Sequence, residues 1–226
     1  HLGSMGGYGQ MAQVLSMLDA ARAGGLDVMS DCYPYDAFST RIGETTYDPG
    51  FLERYHCDYS AIGLCGGTYD GQRCTKEIFD ELRKEHPETI TVGYVMQPED
   101  VRMAMAHPAV MLCSDGLMEA HEGHPRAAGT FPRLIAQYVR TGTLSLYNAI
   151  EKMTSMPAQR IGLSQKGSLA PGCDADVVIF DPDEAWTVDP NRFASKGRNT
   201  PFAGKTLRGK VKYTIVGGEI VYWEGE

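Results

Sequence analysis

The stretch Val110–Arg133, VMLCSDGLMEAHEGHPRAAGTFPR, determines how the rest of the chain is interpreted. It begins with the apolar run VMLC, which is typical of a buried strand, and continues into a polar loop that starts with SDG. A buried strand that delivers a carboxylate to such a loop is a common way for α/β enzymes to build an active site. Asp-Gly is also a frequent turn pair, so a solvated Asp115 at a simple turn is the structural alternative. The stretch predicts an α/β protein with a candidate catalytic residue at Asp115.

Length and charge narrow the classes of protein to consider. The chain has 226 residues, enough for one sizeable core, and its net charge is −8 without a cluster of basic residues. This balance argues against nucleic acid and anionic membranes as partners, and no apolar run approaches the ~20 residues of a membrane span. The six cysteines are scattered, which indicates reduced thiols and a cytoplasmic protein rather than a disulfide framework. Because the chain starts at His1 rather than Met, we expect that residues precede it.

The first 40 residues read as part of a βα repeat. Apolar spacing predicts a helix from Met11, closed by Gly24-Gly25 and followed by a strand over Leu26–Tyr33. The segment DCYPYDAFST then places hydroxyl groups, among them those of Tyr33 and Ser39, just past the strand end. These hydroxyls are candidate substrate contacts, and tyrosines packed on the rim of the core are the alternative.

Residues 41–88 interrupt the repeat with a polar, glycine-containing segment in which periodicity predicts one amphipathic helix, Lys76–Glu85. We interpret it as an insertion that acts as a lid or binding loop. A strand over Thr89–Val95 and a helix from Pro98 lead back to the stretch at Val110.

Beyond that stretch, an amphipathic helix around Phe131–Val139 and a helix capped by Ser145 are predicted, with a short helix at Pro157. The composition changes near Gly167, and short strands follow, two of them joined by a Gly-Gly hairpin turn. Three strands bury little on their own, so we expect partner strands from elsewhere. The predicted domains are 1–163 and a small β module, 164–226.

The chemistry of these candidates points to a metal site or an acid–base site. A hydrolytic zinc site needs about three protein ligands and an open position for water. Asp115, His1 and, further along, His124 are the candidates, but only His1 and Asp115 lie in suitable places, which is an incomplete ligand set.

Together these motifs resemble the amidohydrolase superfamily and, within it, the N-acyl-D-amino-acid deacylases. The matching segments are His1, DCYPYDAFST, the SDG at Asp115, HPR followed by GTFPR, and the closing segment KGSLAPGCDADVVIFD. The resemblance covers almost the whole chain and implies the C-terminal part of a metal-dependent (β/α)8 TIM barrel with a small flanking β-sandwich module.

The resemblance also implies residue roles. His1 is the expected zinc ligand at the end of the sixth barrel strand, and Asp115 is the expected metal-binding carboxylate that activates the metal-bound water. Tyr33, Ser39 and Arg126 match positions that hold the substrate's α-carboxylate, a task that suits the planar fork of arginine. His124 is expected to border the pocket. One or two divalent ions, Zn²⁺ first, and the N-terminal half of the same protein are the implied cofactor and partner, with homo-oligomerisation left open.

The implied activity is hydrolysis of an N-acyl-D-amino acid to a carboxylate and a free D-amino acid. Two alternatives stay open. The tail from Asn199 to Tyr222 is similar to that of the cyclic amidohydrolases, dihydroorotase and dihydropyrimidinase, and the chain alone could be an inactive fragment. In addition, deacylases often carry a lysine two residues after the strand-six histidine, where this sequence has Gly3.

Overall fold

The computed structural model of the chain describes residues 1–5, 8–116, 118–119, 122–124, 129–193, 198, 200 and 202–225. Its helices are α1 (Leu2–Met5), α2 (Met11–Ala23), α3 (Phe51–Tyr55), α4 (Lys76–Glu85), α5 (Pro98–Ala106), α6 (Thr130–Arg133), α7 (Leu146–Met153) and α8 (Ser155–Arg160). A π-helical segment, Leu134–Val139, continues α6. Its strands are β1 (Ser30–Cys32), β2 (Phe38–Arg41), β3 (Ile62–Cys65), β4 (Ile90–Gly93), β5 (Val110–Leu112), β6 (Met118–Glu119), β7 (Glu122–Gly123), β8 (Val177–Thr187), β9 (Thr206–Val216) and β10 (Glu219–Trp223).

Strands β1 and β5 form a parallel pair that carries the main core, with Ser30 opposite Val110 and Cys32 opposite Leu112. Helices α2, α5 and α7 and the π-helical segment supply most of the other buried side chains of this core. Its members are Met11, Leu15, Cys32, Val101, Ala104, Met105, Val110, Leu112, Leu134, Tyr138, Leu144 and Ala149. Parallel strands need such crossover helices, so the α/β class predicted from the sequence is confirmed.

Strand β1 is shorter than predicted. The expected strand began at Leu26, but pairing with β5 starts at Ser30, and Leu26 is 64% exposed. Apolar periodicity alone could not detect that β5 offers only three residues to pair with.

The segment 41–88 contains more regular structure than the single predicted helix. Strand β3 and helices α3 and α4 lie within it, and β3 pairs with β4 in an antiparallel sheet of order β2-β4-β3. A second apolar cluster packs against this sheet, with Phe38, Phe51, Ile62, Phe79 and Leu82 among its members. The predicted helix Lys76–Glu85 is confirmed, and Thr75 caps it by accepting a hydrogen bond from the Ile78 backbone N–H.

The last strands form an antiparallel sheet of order β10-β9-β8. The predicted hairpin at Gly217-Gly218 is confirmed, and both glycines have positive φ, as a tight turn between β9 and β10 requires. All five residues of β10 are exposed, including Ile220 at 60% and Trp223 at 45%. In the described part of the chain this strand pairs with β9 only.

A buried lysine joins α7 to the start of β5. Lys152 is only 2% exposed, and its Nζ donates hydrogen bonds of 2.6 Å to the backbone oxygens of His107 and Val110. Burial lowers the pKa of Lys152 to about 8. Ser145 caps α7, as predicted, by accepting a hydrogen bond from the Asn148 backbone N–H.

All six cysteines are free thiols, in agreement with the sequence-based expectation. Among the residues that the structure describes, no helix has both the length and the apolar character needed to cross a membrane.

Candidate metal and catalytic centre

His1 lies between two carboxylates that come from different strands. Its Nδ1 is 2.9 Å from Oδ1 of Asp31, and its Nε2 is 3.1 Å from Oδ2 of Asp115. Asp31 belongs to β1, and Asp115 lies three residues beyond the end of β5. Because β1 and β5 run in parallel, their carboxyl ends meet at one edge, and the pairing brings the two carboxylates to opposite sides of one imidazole.

The backbone at Asp115 is strained. Its φ is +118°, a value that side chains with a Cβ rarely adopt. Residues held in such conformations cluster at functional sites, where surrounding contacts maintain them. The carboxylate is 64% exposed, so it is accessible to solvent and to a substrate.

Cys113 brings a sulfur atom to the same cluster. Its Sγ is 3.0 Å from Nδ1 of His1, and ligand atoms of His1, Asp31 and Cys113 all lie within 4.8 Å of one another. Imidazole nitrogen, carboxylate oxygen and thiolate sulfur are the donors that Zn²⁺ prefers. The donor types present therefore fit a zinc ion.

Aromatic rings pack against the buried side of His1. The ring of Tyr33 contacts His1 edge-on at 5.1 Å between centroids, and the ring of His124 contacts Tyr33 at 5.2 Å. His124 and Tyr33 are both fully buried, and Nε2 of His124 lies 2.6 Å from the Ala37 backbone oxygen, to which it donates. Tyr35 packs against the other side of His124 at 5.4 Å. This packing restricts the orientation of the His1 imidazole.

The predicted site residues fall into three groups. His1 and Asp115 are in contact, and Tyr33 and His124 lie beneath them. Ser39 lies on β2, where its hydroxyl donates to the Thr91 backbone oxygen at 2.8 Å. Arg126 lies outside the described residues. As substrate contacts, Tyr33, Ser39, His124 and Arg126 all stay predictions.

Sequence reasoning missed Asp31 and Cys113 as members of the cluster. A signal for both was present. Asp31 is the first residue of DCYPYDAFST, at a strand end, and Cys113 lies two residues before Asp115 on the same strand path. Cys113 ends the apolar run VMLC, so its place at the strand end beside SDG was the available signal.

A concavity of about 360 Å³ lies between α5 and the π-helical segment. Two arginines of its lining have partners, since Arg102 pairs with Glu99 and Arg133 donates to the Pro34 backbone oxygen at 2.8 Å. Arg133 also stacks over the Tyr35 ring, 4.5 Å from its centroid.

Parallel strands covered by helices, with two carboxylates and a thiol near their carboxyl ends beside His1, form an α/β arrangement whose side chains fit a metal ion. The family model described as the amidohydrolase family matches residues 78–222, more than half of the chain. The chain belongs to the amidohydrolase family.

Individual relatives support a narrower resemblance. The chain is 34% identical over 198 residues to an N-acyl-D-glutamate deacylase from Alcaligenes xylosoxydans xylosoxydans, covering 84% of this chain and 40% of that protein. A crystal structure of N-acyl-D-glutamate deacylase from Bordetella bronchiseptica, complexed with zinc and a phosphonate inhibitor that mimics the tetrahedral intermediate, superposes with a TM-score of 0.73 at 28% identity. That match covers 97% of this chain and 44% of the other. The resemblance to the N-acyl-D-amino-acid deacylases is thus confirmed.

A shorter match points to the cyclic amidohydrolases. The chain is 53% identical over 85 residues to a dihydroorotase from Pelotomaculum thermopropionicum, covering 38% of this chain and 20% of that protein. The chain spans less than half the length of each of these proteins.

Proposed function

We propose that the protein containing this chain is a zinc-dependent amide hydrolase that converts N-acyl-D-amino acids to a carboxylate and a free D-amino acid. The observation that carries the proposal is the contact of His1 with Asp115 just beyond the end of β5, in a chain that is 34% identical over 198 residues to a deacylase of this class. The neighbouring solved structure with zinc and a phosphonate supports the same metal and the same type of reaction.

In this proposal, each residue of the cluster has a distinct role. When bound, Zn²⁺ supplies Lewis-acid polarisation of the amide carbonyl and makes water nucleophilic near neutral pH. Asp115, exposed and facing His1, accepts the proton from the attacking water and delivers it to the leaving amine. Asp31 accepts a hydrogen bond from Nδ1 of His1 and so leaves Nε2 with the free electron pair that a ligand needs.

For the substrate we propose that Arg126 binds the α-carboxylate bidentately, assisted by the hydroxyl of Ser39. Tyr33 and His124 are buried, so we assign them a supporting role beneath the substrate. Gly3 offers no alternative cationic contact. A Cβ built at Gly3 lies 2.9 Å from Sγ of Cys32 and 2.8 Å from Cε of Met96, so a lysine would have to displace both side chains.

For the architecture we propose that residues 1–163 form the C-terminal part of a (β/α)8 barrel, with 41–88 as an insertion, and that 164–226 belong to a flanking β-sandwich. The parallel β1–β5 pair under helices supports the barrel, and the exposed apolar side chains of the β8–β10 sheet support a second sheet packed on it. We further propose that the remaining ligands and strands come from an N-terminal half of the same protein. Accordingly, the 226-residue chain alone should show no deacylase activity, whereas the longer polypeptide should show it.

The test compares Arg126→Ala with Arg192→Ala in the longer polypeptide, using N-acetyl-D-glutamate and N-acetyl-D-methionine. Arg192 is an exposed arginine in a turn of the β module, so its loss controls for net charge. A hydrogen bond to a charged group contributes ~1.5–3 kcal/mol, so Arg126→Ala should raise KM about 10–100-fold. An unchanged KM would contradict the assignment of the carboxylate contact.

The dihydroorotase match favours hydrolysis of a cyclic amide as a second candidate. Comparing kcat/KM for dihydroorotate with that for the two N-acetyl-D-amino acids separates the candidates. We expect the acyl-D-amino acids to be the better substrates, and a preference for dihydroorotate would replace the first proposal by the second.

A further inference from the structure

The concavity between α5 and the π-helical segment has no role in the proposed hydrolysis. Its volume of about 360 Å³ falls within the range of ~300–1,000 Å³ that is typical of small-molecule sites. The buried side chains of Pro34, Val101 and Tyr138 give it an apolar lining, and the π-helical segment, a conformation that occurs often at functional sites, forms one wall. The concavity therefore has the size and the lining of a site for a small molecule.

Charged side chains of both signs line this concavity, and they differ in how far they are engaged. Glu99 and Arg102 lie one turn apart on α5 and pair with each other. Within the described ranges, no side chain pairs with the exposed carboxylate of Asp36, and the Arg133 guanidinium donates a hydrogen bond only through Nε, to the Pro34 backbone oxygen. The Asp36 carboxylate and the two Nη groups of Arg133 are therefore available to a ligand.

These two opposite charges lie close to the same phenol group. Burial raises the pKa of Tyr138 to about 12, and among the nearby charges the Arg133 guanidinium lowers this pKa whereas the Asp36 carboxylate raises it. Both charges are thus near enough to the Tyr138 ring to act on its hydroxyl, although they form no ion pair with each other in the described part of the chain. A positive and a negative group set apart beside one apolar lining suit a ligand that carries both charges itself.

We propose that this concavity binds a free α-amino acid with an apolar side chain, with Arg133 holding its carboxylate and Asp36 its ammonium group. The paired N–H groups of an arginine match a carboxylate, and an aspartate accepts hydrogen bonds from an ammonium ion. The apolar side chain of the ligand lies against Pro34 and Val101.

The site distinguishes a free amino acid from an acylated one. An N-acyl-amino acid has an amide in place of the ammonium group, so it leaves the Asp36 carboxylate without a cationic partner. The concavity therefore binds the product of the hydrolysis and not its substrate, a consequence that rests on the proposed function, whereas the binding site itself does not.

Isothermal titration calorimetry on the longer polypeptide, without substrate, tests the proposal with three probes of similar shape. D-phenylalanine carries both charges, phenylpropionate carries only the carboxylate, and phenethylamine carries only the ammonium group. A hydrogen bond between charged groups changes a Kd by about 10–100-fold, so D-phenylalanine should bind at least about tenfold more tightly than either of the other two. Equal binding of phenylpropionate and D-phenylalanine, or no binding of D-phenylalanine, would overturn the proposal.

Three variants locate the bound amino acid. Asp36→Asn should raise the Kd for D-phenylalanine at least about tenfold. Asp27→Asn, which removes the same charge from an exposed carboxylate beside Arg160, should leave the Kd unchanged. Arg126→Ala should also leave it unchanged, because Arg126 is assigned to the hydrolytic site.

A Kd that is unchanged in Asp36→Asn, or that rises equally in Asp27→Asn, would refute the site. A Kd that rises in Arg126→Ala instead would place the amino acid at the hydrolytic site and would also overturn the proposal. Binding is measured without turnover, so a polypeptide that binds D-phenylalanine as expected but hydrolyses no N-acyl-D-amino acid would refute the proposed function and retain this site.

Discussion

Replacing Asp115 by glycine and, separately, by alanine should reverse the usual order of stability of these two residues. At an ordinary position, glycine is less stable than alanine by ~0.5–1 kcal/mol because it loses more backbone entropy on folding. At Asp115, φ is +118°, and a residue with a Cβ held there costs ~1–3 kcal/mol. The difference predicts that Asp115→Gly is more stable than Asp115→Ala by about 1 kcal/mol.

The comparison isolates the backbone because both variants remove the same carboxylate and its contact with His1. Urea unfolding followed by circular dichroism measures it. With an m-value of ~2 kcal/mol/M, the glycine variant should unfold at a midpoint about 0.5 M higher. Met17, an exposed residue within α2, provides the control, since there alanine should be the more stable replacement by about 1 kcal/mol.

An alanine variant as stable as the glycine variant at position 115 would refute the reasoning. The strain at Asp115 would then be absent in solution, and the orientation of its carboxylate would have to come from the loop that follows. The expected order instead means that the fold tolerates a local cost in order to point this carboxylate at His1.

Three further predictions concern residues outside the His1 cluster. The pKa of Lys152 is lower in the folded chain than in the unfolded one, so the unfolded chain binds more protons between about pH 8 and pH 10.5. The free energy of unfolding relative to Lys152→Met, measured by chemical denaturation, should therefore rise with pH across that window by up to about 3 kcal/mol. A pH-independent difference would mean that the lysine is solvated. Gly93→Ala places a Cβ 2.7 Å from Cζ of Phe38 and should cost ~1–3 kcal/mol of stability, a loss that the double variant with Phe38→Leu should partly recover. Phe79→Ala, in the apolar cluster on the antiparallel sheet, should lower the free energy of unfolding by ~3–5 kcal/mol and increase amide hydrogen exchange in α4 more than in β5. An equal increase in both elements would contradict the separation of this cluster from the β1–β5 core.

Local patterns in the sequence predicted the elements whose structure depends on neighbours along the chain. The apolar run before Asp115 indicated β5, the spacing in Lys76–Glu85 indicated α4, and Gly217-Gly218 indicated the β9–β10 turn. Each of these rests on a periodicity or a turn conformation that a few consecutive residues specify. The catalytic candidate Asp115 followed from the same local reasoning.

The features that the sequence did not reveal depend on partners far apart in the chain. Strand β3 forms because β4 lies beside it, and nothing within IGLC indicates that pairing. Asp31 and Cys113 meet at His1 only because β1 and β5 are neighbours, which is a property of topology. Lys152 follows Ala149 by three residues and shares its inward face, but a lysine is normally predicted to be exposed. Its burial could be predicted only if the backbone oxygens of His107 and Val110, which accept its hydrogen bonds, were known to lie beside it.

The last strand has a practical consequence for anyone who handles this polypeptide. Strand β10 ends its sheet with a row of backbone donors and acceptors facing outward, beneath uncovered isoleucine, valine and tryptophan side chains. Such an edge is a template onto which another extended segment can add, and neither a proline nor a lysine interrupts β10. Purification at low concentration, or a lysine introduced at Val221, should therefore reduce self-association in light scattering without altering the cluster around His1.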